Sequence, residues 1–176
     1  MKSNIEIKAR IQNLHEVQKR INEYYGSDYT VLNQKDIYYG CNTGRLKLRI
    51  FSEDEAELIS YRRDNIKGPK KSDYSIYKTN NPGQLNKALE SSLGIIGVVE
   101  KRRLVYITGQ TRIHLDDVAG LGNYLELEVV LKSGQSADEG LVIAESIIKE
   151  LEVKKEKLIE GSYIDLLLNR NETQKI

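Results

Sequence analysis

The chain has 176 residues, a formal net charge of +1 from 27 basic and 26 acidic side chains, and a hydrophobic content of 39%. That length suits one domain with a core of its own, and the charge balance gives no reason to invoke nucleic acid or an anionic membrane. No apolar run approaches the roughly 18 residues of a membrane span. Met1-Lys2-Ser3-Asn4 passes directly into a strand pattern without a signal-peptide apolar region, which predicts a cytoplasmic protein. Cys41 has no partner for an internal disulfide, and His15 and His114 are the only histidines. A thiolate and imidazole cluster for structural zinc is therefore excluded, while a hard, oxygen-liganded cation is not.

The first strand is read in Asn4-Ile5-Glu6-Ile7-Lys8-Ala9-Arg10-Ile11, where charge and hydrocarbon alternate at a period of two. Asn13 and Glu16 have capping-box spacing, and Leu14, Val17, Ile21 and Tyr24 form a helical stripe that stops at Gly26. Asp36 to Tyr39 reads as a strand closed by Gly40, and Asn42-Thr43-Gly44 turns into a basic strand over Arg45 to Phe51. A turn at 52–55 leads to a strand from Glu57 to Arg63, then to a polar loop at 64–71. Tyr74 to Lys78 is extended. Asn81-Pro82 opens a short helix with Leu85, Ala88, Leu89 and Leu93 inward, ending at Gly94. Strands over Val98 to Thr108 and Gln110 to Val118 follow, and Gly120-Leu121-Gly122 breaks the chain before an acidic strand at 124–131. Ser136 and Glu139 cap a helix with Leu141, Ala144, Ile147, Ile148 and Leu151 inward, and a last helix runs from Ser162 to Leu168.

About eight strands and three or four helices that do not alternate strictly argue an α+β fold on an antiparallel sheet. Alternation by itself is the ordinary signature of a solvated sheet face. Here the ionic faces also sort by sign: basic at 45–49, acidic at 126–128, mixed at 4–8. If helices cover the greasy face, the charged face becomes concave, and eight strands are enough to close a barrel. So many enclosed charges require a ligand, a metal and water to compensate them. Among residues open to several readings, His114 stands beside Arg112 and Asp116 on the ionic face and has the chemistry of an acid, a base or a metal ligand; a hydrogen-bonded structural histidine is the commoner case. The 11 tyrosines against a single phenylalanine could suggest base stacking, but Tyr24, Tyr25, Tyr38 and Tyr39 read as half-buried packing residues.

The run at 4–8 resembles the Glu-x-Glu-x-Lys signature of the CYTH superfamily, the triphosphate tunnel metalloenzymes. Further segments carry the resemblance nearly end to end: Asp36-x-Tyr38-Tyr39, Arg45-Leu46-Lys47-Leu48-Arg49, Tyr61-Arg62-Arg63, Lys101-Arg102-Arg103, Arg112-Ile113-His114-Leu115-Asp116, Glu126-x-Glu128 and Ser162-Tyr163-Ile164-Asp165-Leu166-Leu167. Lys70-x-Ser72-x-Tyr74 and Leu121-Gly122-Asn123-Tyr124-Leu125-Glu126 are most similar to the class IV adenylate cyclase branch.

The resemblance implies a closed or nearly closed eight-stranded antiparallel β-barrel with helices outside, formed by residues 1–170 as one triphosphate-binding domain and followed by a polar tail at 171–176. It implies Mg²⁺ or Mn²⁺ held by Glu6, Asp116, Glu126 and Glu128. Lys47, Arg49, Arg63, Lys70, Lys101, Arg103 and Arg112 match cations that contact the polyphosphate, and Glu6 and Lys8 are the catalytic candidates. One position departs from the signature: Asn4 stands where its first glutamate belongs, which offers an amide oxygen without a charge. The implied activity is conversion of ATP to cyclic AMP and pyrophosphate, with hydrolysis of inorganic, thiamine or nucleoside triphosphate and non-catalytic triphosphate binding as alternatives. The implied partner is a small-molecule triphosphate, without nucleic acid or membrane. A homodimer through a sheet edge or a helix is compatible with the pattern.

Overall fold

The computed structural model describes residues 2–63 and 68–173. In chain order these form β1 (Lys2–Arg10), α1 (Leu14–Tyr25), β2 (Thr30–Tyr39), β3 (Arg45–Ile50), β4 (Ala56–Arg63) and β5 (Lys70–Thr79). There follow α2 (Pro82–Leu93), β6 (Ile95–Thr108), β7 (Thr111–Val118), β8 (Gly122–Val130), α3 (Ala137–Glu150), a 3₁₀ turn at Lys155–Lys157, and α4 (Tyr163–Thr173). The strands close into a barrel in the order β1-β5-β4-β3-β2-β6-β7-β8, with β8 returning antiparallel to β1. Every strand has two neighbours, although residues 75–79 of β5 pair with β4 alone and residues 30–34 of β2 with β6 alone. No helix among the described residues is long and apolar enough to cross a membrane.

The period-two pattern fixes which face looks inward, because a slip of one residue would exchange the two faces. Ile5, Ile7, Ile113, Leu115, Leu125, Leu127 and Val129 point outward and are buried under α1 and α3, against Val17, Ile21, Ala144 and Ile147. Each such aliphatic side chain contributes about 1.5–3 kcal/mol when fully buried. Asn13 caps α1 through its side chain, and Ser136 with Glu139 completes a capping box at α3, as their spacing predicts. Gly140 lets α3 approach β1 closely: a Cβ there would stand 2.8 Å from Ile5 Cγ1.

Several elements differ from expectation. β2 begins at Thr30 rather than Asp36, and β5 takes in Lys70 and Lys71 from the expected polar loop, whose residues 64–67 lie outside the described residues. The tail expected at 171–176 starts inside α4, which runs to Thr173. On α1, Tyr25 rather than Tyr24 packs on the core, and Tyr24 is exposed. Tyr38 and Tyr39 are fully buried rather than half-buried. On α3, Gly140 is buried while Leu141 is only partly covered. α2 rests lightly on the barrel: Leu85 and Leu89 are partly buried, Ala88 and Leu93 exposed.

One end of the barrel is closed by the chain entering α4. Ile159 N donates to Lys8 O at 2.9 Å, Ala9 bridges to Leu158, and Tyr163 and Ile164 pack among Tyr38, Tyr61, Val99 and Tyr124. The first turn of α4 is tied to β3 by Arg45, whose Nη1 lies 2.8 Å from Asp165 Oδ2.

Candidate active site

Three neighbouring strands build one wall of the interior. The register sets Lys8 opposite Glu126 and Glu126 opposite His114; one rung along, Glu6 faces Glu128 and Glu128 faces Arg112. Carboxylates directly opposite one another repel, and cations separate these two. Arg63 Nη1 donates to Glu6 Oε2 at 2.9 Å, and Arg112 Nη1 lies 3.4 Å from Glu128 Oε2.

Deeper in the same wall, Lys8 Nζ donates to Glu126 Oε1 at 2.8 Å. Arg103 grips Asp116 with both ends of its fork, Nε to Oδ1 and Nη2 to Oδ2 at 2.6 Å each, and its Nη2 also reaches Glu126 Oε2. Tyr163, from α4, donates its hydroxyl to Asp116 Oδ2 at 2.6 Å, and its ring lies 3.9 Å beneath Lys8 Nζ. Burial alone would raise both carboxyls, but Lys8 and Arg103 hold Glu126 well below the usual carboxylate range, and Arg103 lowers Asp116. Burial, with Asp116 and Glu126 close by, pushes the Tyr163 phenol well up, so it stays a donor.

The other wall converges on Asp36 of β2. Arg49 Nε and Nη2 donate to its two oxygens at 2.8 and 2.9 Å, and Lys47 Nζ and Lys101 Nζ each lie 3.0 Å from Oδ2. Burial would raise the Asp36 carboxyl, yet Arg49, Lys101 and Lys47 hold it well down. The lysines are affected in the opposite sense. Burial lowers Lys47 to about 8 and Lys101 to about 7, although each touches a carboxylate. Contact and shift are reconciled by charge: one carboxylate cannot neutralise three cations that also repel one another.

The two walls face a cavity of about 240 Å³. Its lining includes the cations Lys8, Lys47, Arg49, Arg63, Lys101, Arg103 and Arg112 and the carboxylates Glu6, Asp36, Glu57, Glu126 and Glu128, an excess of two positive charges. The Tyr163 end is buried, whereas Leu32, Phe51 and Val105 are partly exposed and Ile76 is 46% exposed, so access is from their side.

Of the residues singled out from the sequence, Glu6, Lys8, Lys47, Arg49, Arg63, Lys101, Arg103, Arg112, Glu126 and Glu128 all line this cavity. Asp116 does not; it lies behind Arg103, fully buried. Lys70 is buried toward the closed end, its Nζ donating to Ile159 O at 3.3 Å, and burial lowers it to about 8. Asn4 lines the cavity and its Oδ1 has no hydrogen-bond partner among the described residues. Sequence reasoning placed Asp36 and Tyr163 in motifs without giving either a function. The signal for Asp36 was its position: an acid two residues before Tyr38, on a strand that pairs it with Arg49.

His114, Glu126 and Glu128 form a group whose ligand atoms all lie within 4.8 Å of one another. Two carboxylate oxygens and an imidazole nitrogen fit a divalent cation. Glu6, drawn to Arg63, and Asp116, drawn to Arg103, stand outside that group.

The CYTH domain model matches residues 2–163, and the chain belongs to the CYTH domain family. A protein of Methanocaldococcus jannaschii, provisionally named an adenylate cyclase, is 26% identical over 169 residues, covering 92% of this chain and 97% of its own. Among solved structures, a protein of Pyrococcus horikoshii superposes with a TM-score of 0.82 at 22% identity, over 93% of this chain and 98% of the other. A provisionally named adenylyl cyclase of Hippeastrum, described as revealing a dominant triphosphatase activity, superposes with a TM-score of 0.65 at 12% identity, over 97% and 96% of the two chains. These two structural likenesses speak for the fold alone.

Proposed function

We propose that the protein is a divalent-metal-dependent enzyme that takes a nucleoside triphosphate into the barrel and converts ATP to cyclic AMP and pyrophosphate, in the manner of a class IV adenylate cyclase. The observation that carries this reading is the charge of the cavity. With Lys47 and Lys101 both protonated, as a bound polyanion makes them, the excess of two positive charges, raised by one divalent cation, matches the roughly four negative charges of a nucleoside triphosphate. The partly exposed Leu32, Phe51, Ile76 and Val105 offer apolar surface to an organic group at the entrance, which inorganic triphosphate does not need. The M. jannaschii relative's name points the same way.

In this reading Lys47, Arg49 and Lys101 take phosphate oxygens, drawn in part from Asp36, and Arg103 meets the chain from the facing wall. A bound metal supplies neutralisation of charge that develops on the phosphate oxygens. The ribose 3′-oxygen attacks the α-phosphorus, the bond from that phosphorus to the β-bridging oxygen breaks, and pyrophosphate leaves with the electron pair. The hydroxyl proton passes to a carboxylate of the acidic wall, for which Glu6 is the candidate. Lys8, held by Glu126, faces the reacting phosphate as a cation.

A second reading keeps the same cradle and changes the attacking oxygen: water attacks the γ-phosphorus and orthophosphate leaves. The polyphosphate side of the cavity is far more elaborate than its apolar rim, and that favours hydrolysis. A third, non-catalytic reading is motivated by Asn4, which removes one carboxylate from the signature. Product analysis separates them: purified protein with Mg²⁺ or Mn²⁺ is given ATP, thiamine triphosphate and inorganic triphosphate in separate reactions. Cyclic AMP with pyrophosphate is the expected result. Orthophosphate would assign a triphosphatase, and binding without any product would assign a triphosphate-binding protein.

A further inference from the structure

The cation site of the acidic wall carries a nitrogen donor. His114 is 3% exposed, and its Nδ1 has no hydrogen-bond partner among the described residues. That nitrogen stands 3.8 Å from Glu126 Oε2 and 4.0 Å from Glu128 Oε1. These separations are too long for hydrogen bonds and exceed by about 0.4–1 Å those between adjacent ligands of a cation bound at about 2.0–2.2 Å, so the three side chains close inward on an ion. A buried polar atom without a partner is costly, and one placed between two carboxylates calls for an occupant. Asn4 Oδ1 faces the same cavity, also without a partner among the described residues.

We infer that His114 is a metal ligand, and that together with Glu126 and Glu128 it makes this a mixed nitrogen and oxygen site selective for first-row transition cations over Mg²⁺. The inference rests on the reading of the barrel as a metal-dependent triphosphate site and names which metal that site prefers. Two features set the preference. Asn4 withholds the negative charge that a hard cation draws on most, and Glu126 already shares its oxygens with Lys8 and Arg103, so the carboxylate field is weakened. An imidazole ligand favours borderline cations, in the order Mn²⁺ < Co²⁺ < Ni²⁺, whereas Mg²⁺ prefers oxygen and retains its waters. Glu126 has lone pairs beyond those its two cations occupy.

The test is metal binding without substrate, so it is independent of turnover. Calorimetric titration of the metal-free protein is expected to show Co²⁺ binding at least tenfold more tightly than Mg²⁺. His114→Gln is expected to remove most of that ratio while leaving Mg²⁺ affinity within about twofold. Pulsed electron paramagnetic resonance of Mn²⁺ in the unsubstituted protein is expected to show coupling to one imidazole nitrogen, a readout that needs no variant. A Co²⁺ to Mg²⁺ ratio unchanged by His114→Gln, or Mn²⁺ without nitrogen coupling, would overturn the assignment. Nitrogen coupling in a protein that turns over no triphosphate would sustain the ligand and defeat the proposed function instead.

Discussion

Lys101 Nζ and Asp36 Oδ2 lie 3.0 Å apart with both side chains 1% exposed, yet burial brings the lysine down to about 7. The pair is under-neutralised because Lys47 and Arg49 share the same carboxylate. An arriving polyanion supplies the missing negative charge and draws both lysines back toward their ordinary range. Triphosphate binding at pH 8 should therefore take up on the order of one proton. Calorimetry in buffers of different ionisation enthalpy reads this directly, and an enthalpy independent of buffer would speak against it.

The same lysines shape stability. Their folded values of about 7 and about 8 lie below the ~10.4 of an unfolded lysine, so between about pH 7 and pH 10 the unfolded chain holds more protons, and stability of the ligand-free protein rises with pH. Above about pH 10 the buried Tyr38 and Tyr163, both pushed well up, reverse the sign, because the unfolded phenols ionise first. The thermal midpoint should climb from pH 7 to 9 and fall beyond about 10.5. A midpoint that falls steadily over the whole range would contradict the burial of these lysines.

Asp36→Asn strips the counter-charge from three buried cations and should cost about 3 kcal/mol of stability. Inorganic triphosphate should restore much of it. Chemical denaturation with and without the ligand measures both effects, and a variant as stable as the parent would remove Asp36 from the centre of the basic wall.

Asp116 is expected from the sequence as a metal ligand, while both its oxygens are held by the Arg103 fork; we propose that it acts by positioning Arg103. Asp116→Asn should weaken triphosphate binding by about 1.5–3 kcal/mol through a loosened Arg103 and leave metal affinity within about twofold. Loss of metal binding with triphosphate affinity intact would return Asp116 to the ligand set.

Glu128 is partly exposed and only loosely paired, so Glu128→Gln should keep the fold and abolish metal-dependent turnover. Glu126→Gln should abolish turnover too, but at a stability cost of about 3 kcal/mol, because Lys8 is left without its carboxylate and Arg103 keeps only Asp116. Circular dichroism melts beside activity separate the two cases; full activity in both variants would exclude the acidic pair from the reaction.

Where one face of a strand is greasy and the other ionic, the fold was legible: β1, β3, β7 and β8 were read with their inward residues correct. β5 was missed at its start because Lys70 and Ser72 point inward while Lys71 and Asp73 point outward, so both faces are polar and the contrast vanishes. The first half of β2 fails for a related reason, with Asn33, Gln34 and Lys35 in succession. Tyr163 is invisible locally. Its hydroxyl meets Asp116 across 47 residues only because the closing segment turns α4 into the barrel end. The motif resemblance supplied the cations; only the register showed that three of them share Asp36.

The most direct test is a crystal structure of the protein with Mn²⁺ and a non-hydrolysable ATP analogue. The expected result is a polyphosphate inside the barrel, its oxygens within hydrogen-bond reach of Lys47, Arg49 and Lys101, with an anomalous manganese peak beside Glu126 and Glu128. A nucleotide bound outside the barrel, with Asp36 still holding all three cations and no metal at the acidic wall, would contradict the proposed site.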